Sequence, residues 1–261
     1  MTAPTGTRRD PWIRRFHPTA HPASAPVLVV LPHAGGNASF YFPFSRDLAA
    51  HAEVLTVQYP GRQERLGEPG PDTVAGLVDG VERALLPWRE RPVVLFGHSM
   101  GAVLAFELAR RWERAGEGPR GLVLSGRRSP LAHREEAALH LQGDDALIGQ
   151  LTALAGTDAR LLADPDFREL ILPSLRSDYK AVETYRYEPG PPLRTAVSVL
   201  CGESDPRASV AEAMGWRELT GAAFTFRSFP GGHFYLADRH ADVVRAVAED
   251  LASFVPAPTS G

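Results

Sequence analysis

Residues 93–110, VVLFGHSMGAVLAFELAR, contain the clearest indication of the fold. Residues 93–96 are an unbroken apolar run, which is typical of a buried strand, and apolar residues continue at helical spacing from Ala102 onward. The turn between them, Gly-His-Ser-Met-Gly, matches the pattern G-x-S-x-G over residues 97–101. Such a turn is tight, so glycine is needed two residues before and two residues after Ser99. The stretch therefore predicts a strand–turn–helix unit that presents the Ser99 hydroxyl at the carboxyl edge of a sheet as a nucleophile.

Apolar runs of the same kind recur along the chain and alternate with helical patterns. The other predicted strands cover residues 27–31, 54–57, 122–124, 197–200 and 224–229, and a short edge strand is predicted over residues 12–16. Helical spacing is found over residues 40–50, 74–86, 102–114, 208–219 and 242–254. Such alternation favours a mainly parallel sheet flanked by helices. Together with the G-x-S-x-G turn, it predicts an α/β-hydrolase fold in a single domain over residues 1–261.

One segment, approximately residues 131–189, interrupts this alternation. It contains no strand-like run, and its apolar residues have helical spacing. It falls between the predicted nucleophile and the predicted acid, on the side of the sheet where active-site loops gather. The segment predicts a helical insertion that acts as a lid, with a plain structural insertion as the alternative.

The serine needs a base and an acid, which follow it in the order serine, acid, histidine in this fold. His233 is the predicted base because it stands in a glycine-rich loop between the last predicted strand and the last predicted helix. Asp205 is the predicted acid because it follows the strand over residues 197–200 and precedes Pro206, which starts a turn. Its carboxylate would orient the imidazole and stabilise the imidazolium. The rival histidines are His133, His140 and His240, and the rival acids are Glu203 and Asp178.

A glycine pair after the first buried strand is the expected place for an oxyanion donor. This fold uses the N–H of the residue after the nucleophile, here Met100, and a second N–H from the loop after an early strand. We assign the second donor to Ala34, because Gly35 and Gly36 let the backbone turn inward. An ordinary turn is the alternative interpretation of this loop.

Other reactive side chains in these segments have simpler interpretations. His33 and His98 each stand beside a better-defined functional residue, so we interpret both as packing or supporting residues. Cys201 ends a predicted buried strand and is expected to be a core thiol. The charged stretch over residues 62–65 is predicted to be a solvated loop near the site.

The composition limits the class of protein. With 261 residues, the chain is long enough for one large core. A formal net charge of −3 argues against a nucleic-acid partner or an anionic membrane surface. The apolar runs are shorter than the roughly 20 residues of a membrane-spanning helix, and no secretory signal is recognised. The single cysteine cannot form an internal disulfide, which is consistent with a cytoplasmic protein. A monomer is the default expectation.

The chain resembles the type II thioesterases that accompany polyketide synthases and nonribosomal peptide synthetases. A serine preceded by His and followed by Met-Gly-Ala is typical of that family. The segments that carry the resemblance are LPHAGGNASFYFPFSRDL from Leu31, VQYPGRQER from Val57, GHSMGAVLAFELAR from Gly97, LSGRRSP from Leu124, LPSLRSDYKAVETY from Leu172, CGESDP from Cys201 and FPGGHFYL from Phe229. They span almost the whole chain in the family's order.

The resemblance implies a substrate class and a partner. Enzymes of this kind hydrolyse acyl thioesters from the phosphopantetheine arm of acyl or peptidyl carrier proteins, and they need no cofactor of their own. It implies the same catalytic residues, Ser99, His233 and Asp205, with the N–H groups of Met100 and Ala34 as the oxyanion hole. Carrier proteins of such systems are usually acidic, and the arginines that would meet one are Arg62, Arg65, Arg127 and Arg128.

Three alternatives stay open at the level of sequence. An esterase or lipase acting on small oxygen esters would use the same catalytic residues. A cyclising thioesterase is usually the last domain of a synthase, whereas this chain is expected to be free-standing. A binding protein on an inactive hydrolase fold would lack a catalytic residue, and the predicted residues are all present in this sequence.

Overall fold

The computed structural model describes residues 10–132, 134, 138–154 and 159–256. Within these residues seven strands form one sheet in the order β1-β3-β2-β4-β5-β6-β7. The strands are β1 (Ile13–Arg14), β2 (Val27–Leu31), β3 (Glu53–Val57), β4 (Val93–His98), β5 (Gly121–Ser125), β6 (Val197–Gly202) and β7 (Phe224–Phe229). Only β1 is antiparallel, to β3. The predicted α/β-hydrolase fold class, with a mainly parallel sheet, is confirmed.

Helices cover both faces of the sheet and make its central strands a core. The described helices are α1 (Phe42–Leu48), α2 (Val74–Leu85), α3 (Met100–Arg114), α4 (Asp144–Leu154), α5 (Ala159–Ala163), α6 (Pro165–Thr184), α7 (Val210–Met214), α8 (Tyr235–Asp238) and α9 (His240–Phe254). Every residue of β2, β4, β5 and β6 is buried, as expected for parallel strands covered on both faces. The carboxyl ends of β2, β4, β6 and β7 therefore share one edge, where the predicted site residues follow them.

The structure corrects several predicted boundaries. The predicted edge strand over residues 12–16 is reduced to the two residues of β1. The predicted helix over residues 40–50 begins as a 3-10 turn, Ala38–Tyr41, before α1, where Pro43 stands in the first turn. The predicted helix over residues 208–219 is α7 followed by a 3-10 turn, Gly215–Leu219. The short helix α8 was not predicted, because four residues are too few to show a helical period.

The segment between β5 and β6 is helical where the structure describes it. It contains α4, α5 and α6, and Pro173 lies inside α6. Apolar side chains of these helices pack on one another in a small cluster of their own, which includes Leu147, Leu151 and Leu175. The insertion therefore has its own packing and covers the carboxyl edge of the sheet. No helix among the described residues is both long and apolar enough to cross a membrane.

Candidate active site

Ser99 stands in a strained turn between β4 and α3. Its backbone has φ +55° and ψ −112°, in a region that non-glycine residues rarely adopt. Such a conformation costs about 1–3 kcal/mol and is retained only where the surroundings enforce it. Here the N–H of Ser99 donates to the carbonyl of Ser125 on β5 at 2.8 Å, which ties the turn to the neighbouring strand.

The two glycines of the turn are required by close backbone packing. A Cβ on Gly97 would lie 2.1 Å from the carbonyl oxygen of Gly101, and a Cβ on Gly101 would lie 1.9 Å from the carbonyl oxygen of Leu31. The first of these oxygens belongs to α3 and the second to β2, so a side chain at either glycine would displace the backbone of the helix or of the sheet. The glycines thus allow α3 to start directly above β2 and β4, with the N-terminus of the helix facing the site.

His233 and Asp205 are brought together from two adjacent strands. Asp205 follows β6 and His233 follows β7, and the ring Nδ1 lies 2.9 and 3.0 Å from the two carboxylate oxygens. Both residues are buried, at 3% exposure for His233 and 6% for Asp205. The N–H of Arg207 also donates to the Asp205 carboxylate at 2.8 Å, which holds it in place. The arrangement leaves Nε2 of the ring to face away from the acid.

Ser99, His233, Ala34 and Met100 all line one small cavity of about 30 Å³. Met100 is the first residue of α3, where a backbone N–H has no carbonyl partner within the helix. The N–H of Ala34 donates to no other described residue. Residues that carry a hydroxyl, an imidazole and two backbone N–H groups therefore line the same space, and groups of these kinds are needed to attack a carbonyl and to bind the resulting oxyanion.

The described rival residues are engaged elsewhere. Nδ1 of His140 is hydrogen-bonded to Glu183, and Nε2 of His240 lies 2.8 Å from Asp47. Glu203 is exposed and accepts from the Ser228 hydroxyl at 3.3 Å. His133 lies outside the described residues. The contacts of these residues place none of them beside Ser99 or His233.

His33 and His98 are buried supports beside the site. Nδ1 of His33 lies 3.1 Å from the Tyr41 hydroxyl, and Nδ1 of His98 lies 2.9 Å from the Ser125 hydroxyl. Burial is the main cause that lowers the pKa of His33 to about 3 and the pKa of His98 well below its ordinary value. Both rings are therefore neutral at physiological pH. They add no positive charge next to His233.

Cys201 is a core thiol, in agreement with the sequence-based expectation. Its side chain is fully buried at the end of β6, and its Sγ donates to the carbonyl of Ala208. Burial raises the pKa of the Cys201 thiol to about 12. The thiolate, which is the reactive form, is therefore not populated near neutral pH.

The prediction of a solvated loop over residues 62–65 is wrong for its two arginines. Arg62 is 7% exposed and Arg65 is 5% exposed. Arg62 forms a bidentate ion pair with Asp178 of α6, with N–O distances of 2.9 and 3.0 Å. This pairing also removes Asp178 from the candidate acids, because its carboxylate is bound to Arg62 and not to a histidine. No local signal could reveal the pair, since its members are 116 residues apart.

Among the described residues no group of three or more His, Cys, Asp or Glu side chains is arranged to hold a metal ion.

The sheet order, the strained serine turn and the buried histidine–aspartate pair define this chain as an α/β hydrolase. A sequence profile of the thioesterase domain matches residues 26–253. The chain belongs to the thioesterase family, and its chemistry is the hydrolysis of thioesters.

Two relatives are similar over nearly all of the chain. A protein named as a probable cadicidin biosynthesis thioesterase of Streptomyces griseus is 46% identical over 250 residues, which is 95% of this chain and 68% of the relative. Thioesterase PikA5 of Streptomyces venezuelae is 46% identical over 242 residues, which is 92% of this chain and 85% of the relative.

A solved structure agrees with the fold over the same extent. The type II thioesterase BorB from the borrelidin biosynthetic cluster superposes with a TM-score of 0.86 at 44% sequence identity. The match covers 94% of this chain and all of that one.

Proposed function

We propose that this chain hydrolyses acyl thioesters from the phosphopantetheine arm of acyl or peptidyl carrier proteins, in polyketide or nonribosomal peptide biosynthesis. The observation that carries the proposal is the similarity, over more than nine-tenths of the chain, to a thioesterase named for cadicidin biosynthesis, to thioesterase PikA5 and to a type II thioesterase from the borrelidin biosynthetic cluster. The cavity beside Ser99 supplies groups that suit acyl transfer from a thioester.

The first half of the reaction transfers the acyl group to Ser99. Nδ1 of His233 faces Asp205, so Nε2 is the nitrogen that takes the proton from the Ser99 hydroxyl. The serine Oγ then bonds to the thioester carbon, and the carbonyl electron pair moves onto oxygen. The N–H groups of Met100 and Ala34 would bind that oxyanion. When it collapses, the C–S bond breaks and the imidazolium gives its proton to the departing sulfur.

The second half releases the acid and restores the enzyme. A water molecule attacks the acyl-serine while Nε2 of His233 takes its proton. The oxyanion forms again in the same place, and its collapse breaks the bond to Ser99 Oγ, which receives the proton. The products are a carboxylic acid and a free thiol arm. No step of this scheme calls for a cofactor or for a second copy of the chain.

The insertion is proposed to act as a lid within a single domain. Side chains from α4 and α6, among them Leu151, Leu154 and Tyr179, line the cavity beside Ser99. The cavity is small, with a volume of about 30 Å³. We therefore expect the α4 side chains Leu151 and Leu154 to move when a longer acyl group binds. The sole cysteine is buried, which agrees with a cytoplasmic location.

The proposal is tested by comparing two substrates that carry the same acyl group. Hydrolysis of an acyl carrier-protein thioester and of the matching nitrophenyl ester is measured as kcat/KM. The carrier thioester is expected to be the better substrate by at least tenfold, because only it offers the arm and the protein surface. A preference for the nitrophenyl ester would assign the chain to the esterases instead.

Replacement of Arg127 tests the contact with the carrier. Arg127 lines the cavity and is half-buried, whereas Arg62, Arg65 and Arg128 are buried, so Arg127 alone of these four is placed to meet a phosphate or an acidic carrier. The hydrogen bond from Trp216 to the carbonyl of Arg127 does not depend on its side chain. For Arg127→Ala we expect roughly tenfold lower kcat/KM on a carrier-bound thioester, as for one charge-assisted contact.

The matching controls separate this contact from a general effect. Turnover of a small soluble thioester by Arg127→Ala is expected to stay within twofold of wild type. Arg245→Ala removes an exposed arginine of α9 that does not line the cavity, and it is expected to leave both substrates unaffected. Equal losses on the two substrates would show that Arg127 supports the site rather than the carrier.

A further inference from the structure

The loop that carries Ala34 is held by a side chain from the insertion. Oδ2 of Asp178, on α6, accepts the N–H of Gly35 at 2.7 Å. Asp178 is only 1% exposed. The helix itself packs directly on the loop, since a Cβ on Gly35, whose φ is +72°, would lie 2.7 Å from the Leu175 side chain. The insertion and the loop are therefore in direct contact at Leu175 and Gly35.

Arg62 connects the same carboxylate to the next residue of the loop. Its Nη1 donates to Asp178 Oδ2 and to the carbonyl of Gly36, both at 2.9 Å, and its Nη2 donates to Asp178 Oδ1 at 3.0 Å. Asp178 thus binds the backbone at Gly35 while Arg62 binds it at Gly36. The ion pair clamps two consecutive residues of the loop from one side.

The clamp determines the direction of the Ala34 N–H. The N–H of Gly36 donates to the carbonyl of His33 at 2.9 Å. Gly36 is therefore bound to Arg62 through its own carbonyl and to the His33 carbonyl through its N–H. The His33 carbonyl and the Ala34 N–H belong to one peptide unit, and in a trans peptide they point in opposite directions. With the carbonyl bound toward Gly36, the Ala34 N–H is turned to the other side.

A buried ion pair contributes little net free energy to the stability of a fold. Two charges lose their hydration on burial, and apolar residues of the same volume are often at least as stabilising. This pair uses its charges on the backbone of the loop that contains a proposed oxyanion donor. Its contacts therefore fit a role in geometry better than a role in stability alone.

We propose that Asp178 and Arg62 are positioning residues that preset the oxyanion hole by fixing the backbone at residues 34–36. The inference rests on the proposed role of the Ala34 N–H in binding the oxyanion. With this role of the ion pair, the half of α6 around Asp178 is a fixed part of the active site. Lid movements that admit substrate then occur in other parts of the insertion.

The substitution Asp178→Asn tests this proposal with little change of side-chain volume. The asparagine amide carries no negative charge, and its nitrogen cannot accept a hydrogen bond. It therefore cannot replace the carboxylate in its contacts with Gly35 and with both nitrogens of Arg62. We expect kcat to fall roughly 10²-fold, the effect of about 1 Å of misplacement of a catalytic group, while KM stays within threefold. Arg62→Lys, which keeps the charge but loses the bidentate geometry, is expected to lower kcat about tenfold.

A transition-state analogue distinguishes positioning from folding. An acyl trifluoromethyl ketone adds to a serine nucleophile and places an oxyanion in the hole, whereas the corresponding amide binds without adding. The ketone is expected to lose affinity for Asp178→Asn by the same factor as kcat, and the amide is expected to bind unchanged. The control is Asp250→Asn on α9, which removes the buried carboxylate of another ion pair, formed at 2.8 Å with the half-buried Arg227 of β7. It is expected to lower Tm and to leave kcat and ketone affinity within twofold.

The possible outcomes test the positioning role and the nucleophile separately. If Asp178→Asn and Arg62→Lys lower Tm as Asp250→Asn does, but keep wild-type kcat and ketone affinity, the pair is structural and the positioning role is excluded. If the ketone binds Ser99→Ala as tightly as wild type, the assignment of the nucleophile fails instead. Because the ketone needs only a reactive serine, its binding reports on the loop even if carrier thioesters prove to be the wrong substrates.

Discussion

Replacement of Ser99 by alanine is expected to abolish thioester hydrolysis. In a serine hydrolase whose catalytic residues act as a unit, loss of the nucleophile costs about 10⁶ in kcat. The alanine variant retains the glycines of the turn, the buried imidazole and the helical insertion, so it is expected to bind substrate with a KM or Kd near that of wild type. Initial rates on a short acyl thioester give the loss directly.

Covalent labelling identifies the reacting atom in the same experiment. A fluorophosphonate probe is expected to modify wild type on the peptide that contains Ser99 and to leave Ser99→Ala unmodified, as read by mass spectrometry. Ser228→Ala serves as the control, because Ser228 is an exposed serine of β7 that contacts Glu203. Labelling that persists in Ser99→Ala would place the nucleophile at another residue.

The parts of the candidate site that could be predicted are those determined by local geometry and by the order of the strands. The turn at Ser99 needs glycine at positions 97 and 101 because backbone atoms stand about 2 Å from where a Cβ would be. The residues that meet this requirement lie within five consecutive positions, so the turn can be recognised from the sequence alone. The positions of Asp205 and His233 just after two adjacent strands follow from the order of strands in a parallel sheet. Their hydrogen bond agrees with that prediction.

Contacts between residues that are distant in sequence could not be predicted in this way. A charged stretch after a Tyr-Pro-Gly turn favours an exposed loop, because charged side chains are rarely buried without a partner. The partner of Arg62 lies on a helix of the insertion, and neither segment gives any sign of the other. His140 and His240 likewise gained their acidic partners only through tertiary packing. Pairs of polar residues that lie far apart in the chain therefore could not be predicted from the sequence.

Asp205→Asn is also expected to lower kcat strongly, because it changes the tautomer of His233. The carboxylate can only accept, so the Nδ1 facing it at 2.9 Å must carry the proton and Nε2 is left with a lone pair. An asparagine at this position can turn its amide toward the ring and donate to Nδ1. The ring proton then moves to Nε2, which can no longer take a proton from Ser99.

For Asp205→Asn we therefore expect kcat about 10⁴-fold below wild type, with KM little changed. The Asn carbonyl oxygen can still accept the N–H of Arg207, so the turn after β6 is expected to remain folded, which circular dichroism and Tm would check. Glu203→Gln is the matched control two residues away, on an exposed side chain, and is expected to retain full activity. If Glu203→Gln were the variant that lost activity while Asp205→Asn stayed within tenfold of wild type, the orienting acid would be Glu203. The buried contact between Asp205 and His233 would then be structural, and the base would have to be oriented by a rearrangement of the loop after β6.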